Sequence, residues 1–538
     1  LLTSPGTPHS HKCQKYMYGN ASSLTGHLYI HPLNMKRTRS FVPNGGRLYY
    51  THRSQPPLLS DMVCDIYMAS GDVAFLARAL PTLELEYAFW MDPKRGRAVH
   101  IPHRRPTASR FSSNPSLSSF NKTGMEGAPQ AQKSQPPPPP PVSHVLNRYW
   151  GGAALESQGL ARGPRPESFR EDAETLIEAF RIRPVAEFFG YADLPQHGAE
   201  AGPGAGAGAL PPMRGGIGRR CCQELAAAAE SGWDFSSRWA VNPAQEGAHG
   251  REGEFFLGDT ATTGIVPADL NAFLHRFELN LARVHHALDR QGQVPGSCQG
   301  TCQGPSLLSI TEMQMLLLEH RRGHDLQQTR TETTTEAGAG VGGGASRLWV
   351  DSGGSGRQVL CSGALGFLER AWERASAMDE VMWDPVHSIW RDLILETGRQ
   401  SSSITPAAFS PLWAGLLWPG APGLKHRLHS CVAALKGSGL VLPGGVQTSL
   451  RSGTGQQWDS YNAWPPLQWL LIQGLRLAAD TIDTGSARAL AEELERSWLG
   501  GGMMGWERDG AMFEKYDARG GAAGKGGGGG EYEVQVRF

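Results

Sequence analysis

Four short segments set charged or amide side chains among aromatic residues that would ordinarily be buried. They are Phe41-Val-Pro-Asn-Gly-Gly-Arg47 with the following Thr51-His-Arg-Ser-Gln-Pro-Pro57, Arg165-Pro-Glu-Ser-Phe-Arg-Glu-Asp172, Ser231-Gly-Trp-Asp-Phe-Ser-Ser-Arg-Trp239, and Gln456-Gln-Trp-Asp-Ser-Tyr-Asn-Ala-Trp-Pro-Pro-Leu-Gln-Trp469. Phe513-Glu-Lys-Tyr-Asp517 and a glycine run ending in Glu531-Tyr532 join them. Aromatic neighbours exclude water from a carboxyl group and raise its pKa, which suits proton transfer. Many of the 15 tryptophans lie in polar surroundings, which suits flat apolar ligands such as sugar faces. Taken singly, each residue has a plainer reading. Asp234 reads as a helix cap or ion-pair partner, Glu514 as a solvated surface glutamate, and Arg165 with Glu167 as a structural ion pair. The tryptophans of 456–469 read equally well as core packing.

Several other chemistries fail on spacing. Gly524-Lys525 is not a phosphate-binding loop, because Arg519 stands where the first glycine belongs and Gly526 where Ser or Thr is needed. Gly204-Ala-Gly206 lacks the third glycine of a dinucleotide fingerprint. His320 and His324 are four apart, yet no glutamate follows His320 and two arginines intervene, so they read as a charged helix face. Ser236 and Ser237 are not in a nucleophile elbow. The 8 cysteines, including Cys221-Cys222 and the pair Cys298/Cys302, have neither a disulfide-scaffold density nor zinc spacing. No metal is expected.

Taken together, the polar-aromatic segments resemble the trehalases, the inverting family 37 glycoside hydrolases. SGWDFSSRW, RPESFRED, QQWDSYNAWPP and GGGGGEY follow in the family's order, and the resemblance extends from about Phe41 to Phe538. It implies an all-α (α/α)6 barrel and hydrolysis of α,α-trehalose to two glucose molecules, with no cofactor. Cleaving the glycosidic bond then asks for one carboxylic acid to protonate the leaving oxygen. A second carboxylate activates water on the opposite face, about 6.5–9.5 Å away. The resemblance gives the acid as Asp234 and the base as Glu514. It assigns disaccharide contacts to Asn44, Arg53, Ser54, Gln55, Arg165, Pro166, Glu167, Gly232 and Glu531. Arg and Asn offer several donors to sugar hydroxyls. Gly232 lets the backbone approach the ligand, and Gly526–Gly530 reads as a lid. Trp233, Trp239, Trp458 and Trp464 read as candidate stacking faces. Alternatives are a catalytically impaired, trehalase-like sugar-binding protein and another (α/α)6-barrel α-glucosidase.

The family pattern is departed from at three places. Its first signature, PGGRFxExYxWD, has no counterpart in Leu1–Ser40, which reads as an unrelated segment. The chain stops at Phe538, where the family continues into GWTNG, and Tyr461 stands where the signature has proline. A catalytic domain over 41–538, truncated at both ends, is therefore expected. The chain begins with Leu1 rather than Met, so a processed or missing N-terminus is expected and the compartment stays open, a signal peptide included.

The elements that position these residues read as helices. Leu270, Phe273, Leu274, Phe277, Leu281, Val284 and Leu288 repeat at helical spacing, with Asp269 as a cap. Met62–Trp90 reads as helix with Pro81 as kink or boundary, and Phe367–Ala377, Leu467–Ala479 and Ala487–Leu499 (capped by Ser486) add three more. Strands are scarce and no βαβ rhythm occurs. The 538 residues include 68 glycines and 37 prolines, about a fifth of the chain, which points to long insertions around an ordinary body. These are expected, disordered, near 104–143, 198–218 and 329–356. Lysine plus arginine equals aspartate plus glutamate at 51 each, which argues against a nucleic-acid binder. No apolar run of about 18 residues exists, so no transmembrane segment is expected. Trehalose is the expected partner, and the chain is expected to be a monomer.

Overall fold

The computed structural model describes residues 40–44, 53–103, 143–151, 216–240, 257–290, 292, 307–334, 360–482, 485–520 and 536–537. The fold is all-α, of the (α/α)6-barrel class. Among the described residues the principal helices are α1 (Leu59–Ser70), α2 (Val73–Met91), α3 (Gly216–Ser231), α4 (Ala268–Arg290), α5 (Ile310–Thr334), α6 (Ser362–Val381), α7 (Ser410–Ala414), α8 (Leu424–Gly437), α9 (Pro465–Ile482) and α10 (Gly485–Asp509). The strands are short and antiparallel. The longest pair, β1 (Ala98–Pro102) with β2 (Ser143–Asn147), puts Ala98 opposite Asn147 and Pro102 opposite Ser143.

The predicted stripe of α4 is buried on nearly every side, not on one. Its leucines and phenylalanines pack into all three apolar clusters of the core. Several of its buried polar residues are tolerated because they are paired, whereas both ring nitrogens of the buried His286 have no hydrogen-bond partner among the described residues. Glu278 accepts from Tyr87 Oη (2.8 Å) and from the Arg374 guanidinium (2.8 Å), and Asn271 Oδ1 accepts from the Asn147 amide (2.8 Å).

Met62–Trp90 is two helices, and the break is not at Pro81. Gly71 closes α1 in the left-handed region (φ 66°), and Asp72 caps α2 by accepting from Phe75 N at 2.8 Å. That residue pair supplies both a C-terminal and an N-terminal stop, whereas Pro81 is accommodated inside α2. The last helix also outruns its expected end at Leu499, continuing through Gly500–Gly502 to Asp509. Ser143 belongs to β2, residues 216–218 to α3 and 329–334 to α5, so these ends of the expected insertions are ordered elements. The remainder of those insertions, and the segment 1–39, lie outside the described residues.

Helix α3 matters most for the site. Glu224 holds it to the turn at Thr262–Gly264, accepting from Thr263 N (2.7 Å) and Thr263 Oγ1 (2.6 Å). Gly151 lies so close to its backbone that an added Cβ would come within 2.5 Å of Ala226 C, so only glycine fits there. Its C-terminal end delivers the chain into Gly232-Trp233-Asp234.

Candidate active site

Three chain segments meet at the end of α3. The first is the loop 41–44/53–55. Its two arms pair through the bridge of Pro43 with Ser54, and Asn44 N donates to Arg53 O at 2.7 Å. Gln55 Nε2 donates to Asn44 O (2.6 Å), and Asn44 Nδ2 donates to Ala229 O (3.1 Å). Glu230 holds the Ser54 arm of this loop from α3. It is fully buried, and it accepts from Ser54 Oγ (2.7 Å), Ser54 N (3.3 Å), the Arg97 guanidinium and Trp150 N (2.8 Å). Asn44, Arg53, Ser54, Gln55 and Gly232 are thus brought to one place. Ser54 is buried with its hydroxyl donated to Glu230, so its described contact is structural.

The second segment is Gly232–Trp239. Gly232 has φ +79°, and a Cβ there would meet nothing within 4 Å, so the space before it is open. Trp233 N donates to Ser231 Oγ at 3.0 Å, fixing the turn. Downstream, Arg238 is buried between Asp269 (2.7 Å) and Asp392 (2.8 Å). Burial alone would pull its pKa down, but the two carboxylates more than reverse this and raise it, so the guanidinium stays charged.

The third segment, 456–464, joins the second to Glu514. Trp458 N donates to Phe235 O at 3.1 Å. Asp459 accepts from Ser236 Oγ (3.1 Å), Ser237 N (3.0 Å), Ser237 Oγ (2.8 Å), Ser449 Oγ (2.9 Å) and Thr454 Oγ1 (2.7 Å). Burial pushes the Asp459 carboxyl up, and these donors oppose it. On the other side, β3 (Asn462–Ala463) pairs with β4 (Tyr516–Asp517), two residues beyond Glu514. Gln457 closes the gap. Its Nε2 donates to the Asp234 carbonyl, and its Oε1 accepts from Lys515 Nζ at 3.5 Å. A single amide therefore ties the backbone of Asp234 to the neighbour of Glu514. Glu514 Oε2 is buried with no hydrogen-bond partner among the described residues.

The tryptophans are core, not platforms. Trp233, Trp239, Trp458 and Trp464 are all buried. Trp464 stacks on Trp458 at 4.0 Å and 3°, Trp458 stacks on Trp233 at 5.4 Å and 21°, and Lys515 Nζ lies 5.3 Å from the Trp464 ring centre. Flat rings gain more from one another than from water, so they fill the wall between the two carboxylate segments. Arg165, Pro166, Glu167, Glu531 and the Gly526–Gly530 run lie outside the described residues. Sequence reasoning gave no role to Glu230, Gln457 or Lys515. The only signal was their place inside or beside segments already rich in aromatic residues.

The trehalase family model matches residues 34–133, 218–300 and 357–538, so the match begins slightly before Phe41 and leaves out 165–172. The chain is 28% identical over 512 residues to a probable trehalase of Oryza sativa subsp. japonica, covering 93% of this chain and 61% of that protein. It is 30% identical over 507 residues to a trehalase of Homo sapiens (94% and 58%), and 28% identical over 501 residues to a periplasmic trehalase of Pseudomonas aeruginosa (93% and 60%). The chain thus spans about three fifths of the length of these relatives. The neutral trehalase of Saccharomyces cerevisiae superposes with a TM-score of 0.50 at 17% identity, covering 95% of this chain and 66% of that one, a likeness of fold. With the family model matching well over half of its residues, the chain belongs to the trehalase family.

Proposed function

We propose that the chain hydrolyses α,α-trehalose to two glucose molecules by single displacement. Asp234 is the acid and protonates the glycosidic oxygen as the bond to the anomeric carbon breaks. Glu514 is the base and takes a proton from the water that attacks that carbon from the other face. The attacked ring leaves as β-glucose and the other as α-glucose. The observation that carries this reading is the Gln457 bridge between the Asp234 carbonyl and Lys515, beside a Glu514 oxygen that is buried with no described partner. A buried acceptor without a donor is costly unless a bound molecule supplies one, and an attacking water does so.

Asn44, Arg53, Gln55 and Gly232, gathered on Glu230 and the end of α3, form one wall of the sugar pocket in this reading. Ser54 holds that wall in place. Arg165, Pro166, Glu167 and Glu531 belong to the same pocket by family resemblance, and 41–538 forms the catalytic domain. The reaction needs no cofactor, and the protein acts as a monomer.

Glucose release from trehalose by the purified chain tests the proposal, beside Asp234→Asn and Glu514→Gln. Each variant is expected to lose a factor of about 10²–10⁴ in kcat while still binding trehalose in a calorimeter. Trehalose binding without glucose release by the wild type would instead mark a sugar-binding protein. Faster release from another α-glucoside would mark a different glucosidase.

A further inference from the structure

Away from the carboxylate segments, two imidazoles and one carboxylate converge at the surface. His103 directly follows β1, His144 lies in β2, and Glu380 lies in the last turn of α6. His103 Nδ1 is 3.1 Å and His144 Nε2 is 2.8 Å from the same Glu380 oxygen, and all three donor atoms lie within 4.8 Å of one another. The imidazole rings face each other with centroids 3.8 Å apart. These residues are far apart in sequence and are brought together only because the β1–β2 ladder packs on α6.

We propose that His103, His144 and Glu380 bind a divalent zinc ion. Two neutral imidazoles and a carboxylate are a donor set that zinc favours over harder cations such as magnesium. Ligand atoms about 2.0–2.2 Å from a tetrahedral ion stand roughly 3.3 Å apart, so the two Glu380 contacts, 3.1 and 2.8 Å, open by a few tenths of an ångström while the two imidazole nitrogens, within 4.8 Å of each other, settle to the same spacing around the metal. His103 must then carry its proton on Nε2 and His144 on Nδ1, leaving the facing nitrogens as lone-pair donors. His103 and Glu380 are 40% and 30% exposed, so the ion can enter from solvent and water can complete its coordination. His144, only 11% exposed, supplies the rigid side of the site. The ion clips the end of the β1–β2 ladder, where Pro102 pairs with Ser143, to the C-terminal turn of α6. Its role is structural and separate from glycosidic bond cleavage.

Zinc titration of the full metal-free chain by calorimetry tests this, with His103→Ala, His144→Gln and Glu380→Gln alongside. Cysteines and other histidines elsewhere in the chain also compete for zinc, so the readout is the difference between proteins. The expected result is one equivalent fewer in each histidine variant and an affinity weakened by roughly tenfold or more in Glu380→Gln, with glucose release unchanged. Circular dichroism of the metal-free variants must overlay the wild type, and Glu380→Gln, which preserves the shape of the side chain, covers the case where a histidine variant misfolds. Zinc uptake that is nil in the wild type, or equal in number and affinity in the wild type and every folded variant, would overturn the proposal and leave a hydrogen-bonded cluster only.

Discussion

Replacing Glu230 with glutamine changes no volume and removes one charge, yet it should disable the sugar-side wall of the site. Glu230 is fully buried, with Arg97 against it at 4% exposure. Its two oxygens accept from Ser54 N, Ser54 Oγ, the Arg97 guanidinium and Trp150 N. In Glu230→Gln one acceptor becomes an NH2 group, which must face a donor: either Trp150 N, or Ser54 and Arg97. Breaking a buried pair costs about 3–5 kcal/mol, much of it from the stranded guanidinium. Because the amide still accepts on one side, a loss near 3 kcal/mol is expected, or a melting midpoint lower by roughly 3 °C for a chain of this length. The loop carrying Asn44, Arg53 and Gln55 hangs on this residue, whereas the Gln457 bridge does not touch it. KM for trehalose should therefore rise at least as much as kcat falls, the reverse of the split expected for Asp234→Asn. Thermal melts and initial-rate kinetics on the folded fraction measure both. An unchanged midpoint with unchanged KM would refute the claim that Glu230 carries the wall.

Two further outcomes follow from the packing and the buried histidines. Trp464→Ala removes the end ring of the Trp233/Trp458/Trp464 stack and the Nε1 donor (2.9 Å) to Gln457 O, and should cost about 3–5 kcal/mol in a denaturant titration as well as lowering kcat. His275 is buried, and its pKa is pushed down to about 3, first by burial. The folded state therefore holds it neutral while the unfolded chain takes up a proton below its usual value of 6.5. Its contribution to stability is present above that value and is lost as pH falls towards 3, amounting to about 2 kcal/mol by pH 5. Melts from pH 7 to pH 4.5 should show a shallower decline in His275→Gln than in the wild type.

What the sequence made legible, and what it did not, divides along range. The stripe in 270–288 marked α4, but not that its charged side would be buried, because Glu278 finds Arg374 and Asp269 finds Arg238 only across the fold. Pro81 looked like the break in 62–90. The glycine and the capping aspartate at 71–72 decided the boundary instead, since they act locally on both helix ends. Asp234 and Glu514 were picked out by the company they keep. Gln457 and Glu230, which hold the surrounding segments, were not, because they act through partners 223 and 176 positions away. The tryptophans stayed open between core and platform for a related reason. Polar neighbours in sequence suggested exposed faces, while in space those neighbours turn to Asp459 and the rings turn to each other.

The anomeric form of the first glucose released bears most directly on the pairing of Asp234 with Glu514. Proton NMR during the first seconds of trehalose hydrolysis, before mutarotation, distinguishes the outcomes. Single displacement predicts α- and β-glucose in equal amounts. Release of α-glucose alone would mean retention through a covalent intermediate and would contradict the acid–base assignment.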